Sequence, residues 1–144
     1  MCGKKLVSNL VWVLSGSFSI PVYAFDRNHT RELPCIVVSY DSEEGSMPGI
    51  YGHYTVSGKV LVAFQGYEDT DNTEADTVAQ QVIDIIGNRD LDTSLNKPLS
   101  GTDHRPLSGF GINRLFIRGT NRAIEDSSTV VEVIFDAYCV AKDF

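Results

Sequence analysis

Cysteine is scarce in this 144-residue sequence, which has only Cys2, Cys35 and Cys139 and no Cys-x-x-Cys pair. Because no histidines stand nearby at zinc-ligand spacing, neither a zinc site nor a disulfide framework is predicted. Cys35 and Cys139 each lie in an apolar run typical of a strand, where a reduced cysteine acts as a small buried hydrophobe. This usage favours a reducing compartment.

Basic charge and long apolar runs are also lacking. The 12 lysines and arginines are outnumbered by 19 acids, and the formal net charge is −7 at pH 7. This balance argues against non-specific nucleic-acid binding over the whole surface, although a local basic patch remains open. No apolar run reaches the ~20 residues of a transmembrane helix. With 42% hydrophobic residues, the composition is that of a soluble globular protein, and the length predicts one domain over residues 1–144.

The amino-terminal region admits two interpretations. Two lysines precede the apolar residues 6–14, and Ala24 follows as a small residue, which is the pattern of a secretory signal and its cleavage site. Serines and Pro21 interrupt that pattern. The alternative is an amphipathic helix over about residues 3–14, ended by Gly16, because apolar side chains recur at helical spacing. The first interpretation would make the chain a small secreted binding domain.

The clearest helix is predicted over about residues 73–86. Asp71 and Glu74 stand three residues apart as a capping box, which satisfies free amide groups at a helix start. A wide apolar face follows, with acids and glutamines on the opposite side. Gly87 is expected to end the helix.

Strands are predicted where β-branched and aromatic residues cluster. They comprise a short edge piece at 20–25, a central strand at 33–40, one bent strand at 54–64 and a C-terminal hairpin over about 110–141. The polar segment 41–52 is expected to be a mobile loop, and 89–108 a long connection. This order predicts an α+β fold, with a mixed or antiparallel sheet of about four strands and its helices packed on one face.

No pattern in the sequence carries a recognisable reaction. There is no Gly-x-Ser-x-Gly elbow, and Gly109-Phe110-Gly111 lacks the third glycine of a dinucleotide-binding turn. His104 lies in a polar segment, where a solvated histidine is the ordinary case. No catalytic, cofactor-binding or metal-binding residue is therefore predicted, and the protein is expected not to be an enzyme. A pocket holding His104 beside a buried carboxylate would instead indicate a small hydrolase.

Charge is distributed unevenly along the chain. Residues 41–92 contain eleven acids and two bases, whereas residues 104–124 contain four arginines and no acid. These charges either compensate one another within a subunit or are solvated, or they pair between subunits. The second interpretation joins the acidic helix start of one copy to arginines of the next, and such a heterologous contact can close into a ring. The candidate interface residues are Glu68, Asp69, Asp71, Glu74, Arg114, Arg118 and Arg122.

The order of elements resembles that of the tail terminators and related head-to-tail joining proteins of tailed bacteriophages. The similarity rests on an N-terminal helix, Val22-Tyr23, the run Leu33-Pro34-Cys35-Ile36-Val37-Val38-Ser39, the helix 73–86, and an arginine-bearing strand before a long final strand. It covers nearly the whole chain.

The resemblance implies an α+β subunit of the virion that assembles, usually as a homohexamer, into a ring at the head-proximal end of the tail tube. Such a ring stops tube polymerisation and docks the head connector. The implied partners are other copies of the chain, the tail tube protein, the head connector or neck protein and, where the tail has one, the sheath protein. No cofactor is implied, assembly occurs in the host cytoplasm, and genomic DNA passes through the bore without specific binding. A neck connector or stopper ring is the alternative within this class.

Two loops are candidates for contacts with neighbouring rings, because docking surfaces are commonly mobile before assembly. Glu43, Glu44 and Met47 lie in the segment 41–52, and His104 and Arg105 lie in the connection 89–108. The acidic composition suits a DNA passage, since it reduces sticking of the phosphate backbone.

Overall fold

The computed structural model describes residues 2–25, 33–47, 51–65, 73–87, 110–125 and 128–142. In chain order, the elements are α1 (Cys2–Ser17), β1 (Val22–Ala24), β2 (Cys35–Met47), β3 (Tyr51–Gln65), α2 (Thr73–Ile86), β4 (Phe110–Glu125) and β5 (Ser128–Lys142). None of the helices in these ranges is long and apolar enough to cross a membrane.

The five strands form one mixed sheet in the order β1-β2-β3-β5-β4. β1 pairs with β2 in parallel, over Val22–Ala24 and Ile36–Val38, and the other three pairings are antiparallel. The predicted α+β fold is confirmed, with five strands in place of about four, because the short piece containing β1 joins the sheet as an edge strand. The segment with Ser57 and Gly58 is one strand, as expected.

Both helices lie on one face of the sheet, which we call the helix face. Alternate residues of β5 are buried there, and so are their partners in β3. Leu6, Leu10 and Leu14 of α1 are fully buried in the same cluster as Val82 and Ile86 of α2. The amphipathic spacing of α1 therefore supplies part of the core. Cys35 and Cys139 are both buried and reduced, as the sequence predicts.

The opposite side, which we call the outer face, is more polar. On β5 it carries Glu132, Ile134 and Asp136, all partly buried, and the exposed Tyr138. At the β2 end of this face Val37 is 5% exposed. The outer face is therefore apolar around Val37 in the first part of β2, and charged at β5 and β4.

The end of α2 approaches β4 closely at a glycine. The amide of Gly87 donates to the carbonyl of Ile83 at 2.8 Å. A Cβ at Gly87 would lie 2.8 Å from Cγ1 of Ile117 and 2.9 Å from that carbonyl oxygen. Only glycine allows this approach without a shift, so the predicted helix stop is also a packing contact.

The expectation of a loop over residues 41–52 is wrong for most of its length. β2 continues to Met47 and pairs with β3, which begins at Tyr51. Two register shifts in β2, between Tyr40 and Ser42 and between Gly45 and Met47, accommodate the extra residues. Pairing with β3 overrides the weak strand propensity of this segment, because cross-strand hydrogen bonds and neighbours decide strand formation more than composition does.

Glu43 has a structural contact that its sequence position does not indicate. Its carboxylate accepts a hydrogen bond from the backbone amide of Gly3, in the first turn of α1. A negative charge at a helix N-terminus satisfies a free amide and interacts favourably with the helix dipole. Glu43 therefore ties β2 to α1.

Candidate subunit interface

The three candidate arginines of the C-terminal half all lie on β4, at one edge of the sheet. Arg114, Arg118 and Arg122 are exposed. β5 borders β4 on one side, and no strand of the described ranges borders it on the other. β4 therefore presents a basic edge.

Arg122 pairs with an acid of its own subunit. Its Nη1 donates to Oδ2 of Asp76 on α2 at 2.7 Å. The candidate acid Glu74, two residues before Asp76, is exposed in the first turn of α2. The remaining candidate acids of the helix start, Glu68, Asp69 and Asp71, lie outside the described residues. For Arg122 the charge is thus balanced within the subunit by Asp76, and its place in a contact with another copy stays a prediction.

The Asp76–Arg122 pair is expected to contribute little to stability. Asp76→Asn should lower the free energy of unfolding by less than about 1 kcal/mol, because both side chains are well solvated, at 50% and 40% exposure. Urea denaturation at about 0.1 M and 1 M NaCl measures the loss, which should shrink at high salt as the Debye length falls to about 3 Å.

Asp84→Asn is the matched control for that measurement. Asp84 lies on the same helix and accepts a hydrogen bond from Gln80 at 3.1 Å. The substitution Asp84→Asn removes the same charge as Asp76→Asn but breaks no ion pair with an arginine of the described ranges. Its effect on the free energy of unfolding should therefore not depend on the basic edge. A loss above about 2 kcal/mol for Asp76→Asn would show that the pair is more than a surface contact.

Arg118 meets an acid that is not among the candidate interface residues. Asp136 of β5 accepts a hydrogen bond from Oγ of Ser57 at 2.6 Å and lies 3.6 Å from Nε of Arg118. Four residues earlier on β5, Oε1 of Glu132 lies 3.8 Å from Nζ of Lys59. The period-2 alternation of β5 places both acids on the outer face, but only the strand register shows which cations they meet.

Arg114 differs from the other two arginines, because its guanidinium lies over an aromatic ring. Its guanidinium carbon is 4.1 Å from the centroid of the Phe116 ring. That ring meets Tyr138 edge to face, with centroids 5.6 Å apart and planes at 86°. Tyr138 is 44% exposed, and no ion pair of Arg114 occurs among the described residues.

The cluster of Arg114, Phe116 and Tyr138 has the composition of an interface centre. Arginine and tyrosine are enriched among residues that carry most of the binding energy in protein–protein interfaces. The cation–π contact also holds the guanidinium over the ring. Arg114 is thus an exposed cation held in place beside the open edge of β4.

The candidates for docking loops are placed in part. Glu43, Glu44 and Met47 lie in strand β2 and not in a loop. Glu44 is exposed, with no ion pair in the described part of the chain. His104 and Arg105 lie outside the described residues. Within the ranges given above, no group of three or more metal-ligating side chains occurs.

Comparison with known proteins shows a likeness of fold to solved structures and no match of sequence. No protein-family model matches the sequence, and no curated protein sequence matches it. Among solved structures, the chain is similar to a chain of the virion of a native gene transfer agent particle, with a TM-score of 0.53 and 13% identity. The similarity covers 92% of this chain and 84% of that one. At this identity the likeness shows a shared fold.

Proposed function

We propose that the protein is a structural subunit of a tailed virion, and specifically the tail terminator. The observation that carries the proposal is the fold shared with a chain of a gene transfer agent virion over 92% of this chain. The resemblance of the element order to that of tail terminators supports the same class of protein, a subunit of a virion. The protein assembles with itself as a homohexameric ring, caps the head-proximal end of the tail tube and docks the head connector.

The surface of the subunit suits this role. A net charge of −7 disfavours retention of DNA that passes through a ring. The basic edge of β4 and the aromatic cluster around Arg114 supply contacts of the kind that subunit interfaces use. No reaction, cofactor or metal enters this role, and tail tube protein, neck protein and, where present, sheath protein are its partners.

The experiment is a tube-capping assay with tube protein of the same virus. Preformed tubes are incubated with the full-length protein, more tube protein is added, and lengths and ends are measured by electron microscopy. Capped tubes should stop elongating at one end and carry extra density there, whereas tubes without the protein continue to grow. Light scattering of the purified protein, alone and with tubes, measures whether a ring forms before or during capping.

Tubes that continue to elongate in the presence of the protein would exclude the tail terminator role. If the protein forms rings that neither bind tubes nor slow elongation but bind the head connector, it is a neck connector or stopper. If it remains a strict monomer that binds neither partner, the virion role itself fails.

A further inference from the structure

The two edges of the sheet are both open over part of their length. β1 covers β2 only over Ile36–Val38, and beyond that pairing no described strand borders β2 as it continues to Met47. At the opposite edge, β4 has only β5 beside it in the described ranges. Open edges present unpaired backbone groups and invite another chain.

The strand registers place two opposite charges on one row of the sheet. Glu44 pairs with Thr55, Thr55 with Tyr138, and Tyr138 with Arg114. Directly paired residues lie on the same face, so Glu44 and Arg114 stand at opposite edges of the outer face, about 14 Å apart across three strand spacings. They are too far apart to meet within one subunit.

The two edges are also opposite in charge. The free part of β2 contains Asp41, Glu43 and Glu44 and no base, and β4 carries its three arginines with no acid before Glu125. Contacts between two β4 edges or between two β2 edges would place like charges together, which is destabilising. The charges therefore favour head-to-tail pairing of unlike edges, the arrangement that closes into rings.

Strand direction agrees with that pairing. β2 and β4 are separated by three antiparallel steps, so they run antiparallel to each other. Rotation of a subunit about an axis parallel to its strands would set its β4 beside β2 of the next copy, again antiparallel. A closed ring allows no translation along its axis, so residues on one row stay level, and Arg114 of one copy would reach Glu44 of the next.

We propose that this protein self-associates edge to edge, with Arg114 of one copy contacting Glu44 of its neighbour. This inference rests on the proposed ring and names its contact. Arg118 lies further along β4, beyond the row of Phe116, and near the level of Asp41. Two register shifts in β4, one just before Arg114 and one at Arg118, interrupt the regular backbone edge. Side-chain pairs therefore determine the register of the contact more than a continuous ladder does.

The test uses two charge reversals in the full chain. In Arg114→Glu the contact would join two acids, and in Glu44→Arg it would join two cations. Each variant alone should self-associate at least tenfold more weakly than the natural protein. An equimolar mixture of the two should assemble again, because every contact in an alternating ring then joins opposite charges.

Light scattering at about 0.15 M NaCl measures the assembly, and circular dichroism checks that each variant is folded. Asp84→Arg is the control, since it makes the same change of charge as Glu44→Arg at an exposed position of α2, which packs on the helix face and not on the outer face that carries Glu44 and Arg114. It should assemble like the natural protein. The inference is overturned if the two charge-reversal variants are folded and each assembles like the natural protein. It is equally overturned if their mixture remains dissociated. In both cases the proposed ring stands.

A second readout applies if the natural protein forms no ring in solution. Glu44→Cys and Arg114→Cys are prepared separately in a Cys2→Ser background, mixed at high concentration and oxidised. A mixed disulfide dimer well above the yield of either variant alone supports the contact, and yields equal to those of the single variants overturn it. Failure of tube capping, in contrast, removes the proposed function without bearing on this contact.

Discussion

Truncation of Phe135 to alanine is expected to lower the free energy of unfolding by about 3–5 kcal/mol. Phe135 lies on β5, next to the middle strand of the sheet, and among the described residues it is the largest fully buried side chain. Its loss removes buried apolar area and leaves a cavity that the sheet backbone cannot close. Urea denaturation followed by circular dichroism measures the change.

Tyr138→Ala is the matched control, because it truncates an aromatic ring on the same strand. Tyr138 is 44% exposed on the outer face and should cost about 1 kcal/mol, mainly from its contact with Phe116. If Phe135→Ala leaves too little folded protein to measure, Phe135→Leu preserves part of the volume and should retain more stability. Equal losses for Phe135→Ala and Tyr138→Ala would contradict the position of the core on the helix face.

Helix α2 shows what local sequence determines. Its observed bounds, Thr73–Ile86, are those that the apolar periodicity predicts, and Gly87 follows as the stop. Residues three and four apart lie on one side of a helix, so the buried face needs no knowledge of the rest of the chain. The same reasoning finds α1, which extends to Ser17, beyond the predicted end.

β2 shows what local sequence does not determine. Its second half is polar and rich in acids, and it becomes a strand because β3 lies beside it with a matching register. That register is a long-range property, set by pairs such as Tyr40 with Gly58. The polar composition alone therefore indicated a loop.

The cations of the candidate interface could be predicted from the sequence, but the acids that they contact could not. A run of arginines without acids identifies β4 from sequence alone. Asp76 and Asp136, which approach Arg122 and Arg118, are distant in sequence and become neighbours only through the sheet and the packing of α2. The row that joins Glu44 to Arg114 likewise depends on three successive registers.

Gly58→Ala is expected to lower the free energy of unfolding by about 3 kcal/mol, at the upper end for overpacking. A Cβ at Gly58 would collide with the carbonyl oxygen of Ser39 and lie 3.0 Å from both Cα of Tyr40 and Cζ of Phe135. Two of these atoms are main chain of β2, so relief requires movement of a paired strand. Gly119→Ala is the control, since its Cβ would meet nothing within 4 Å and it should be neutral or stabilising by about 0.5–1 kcal/mol.

The double variant Gly58→Ala with Phe135→Leu separates the two sources of the clash. If the Phe135 ring caused most of the strain, leucine would restore stability relative to the sum of the single losses. Because the closest contact is the Ser39 carbonyl, we expect the losses to add with no rescue. Recovery of more than about 1 kcal/mol would show that the ring, and not the β2 backbone, requires glycine at this position.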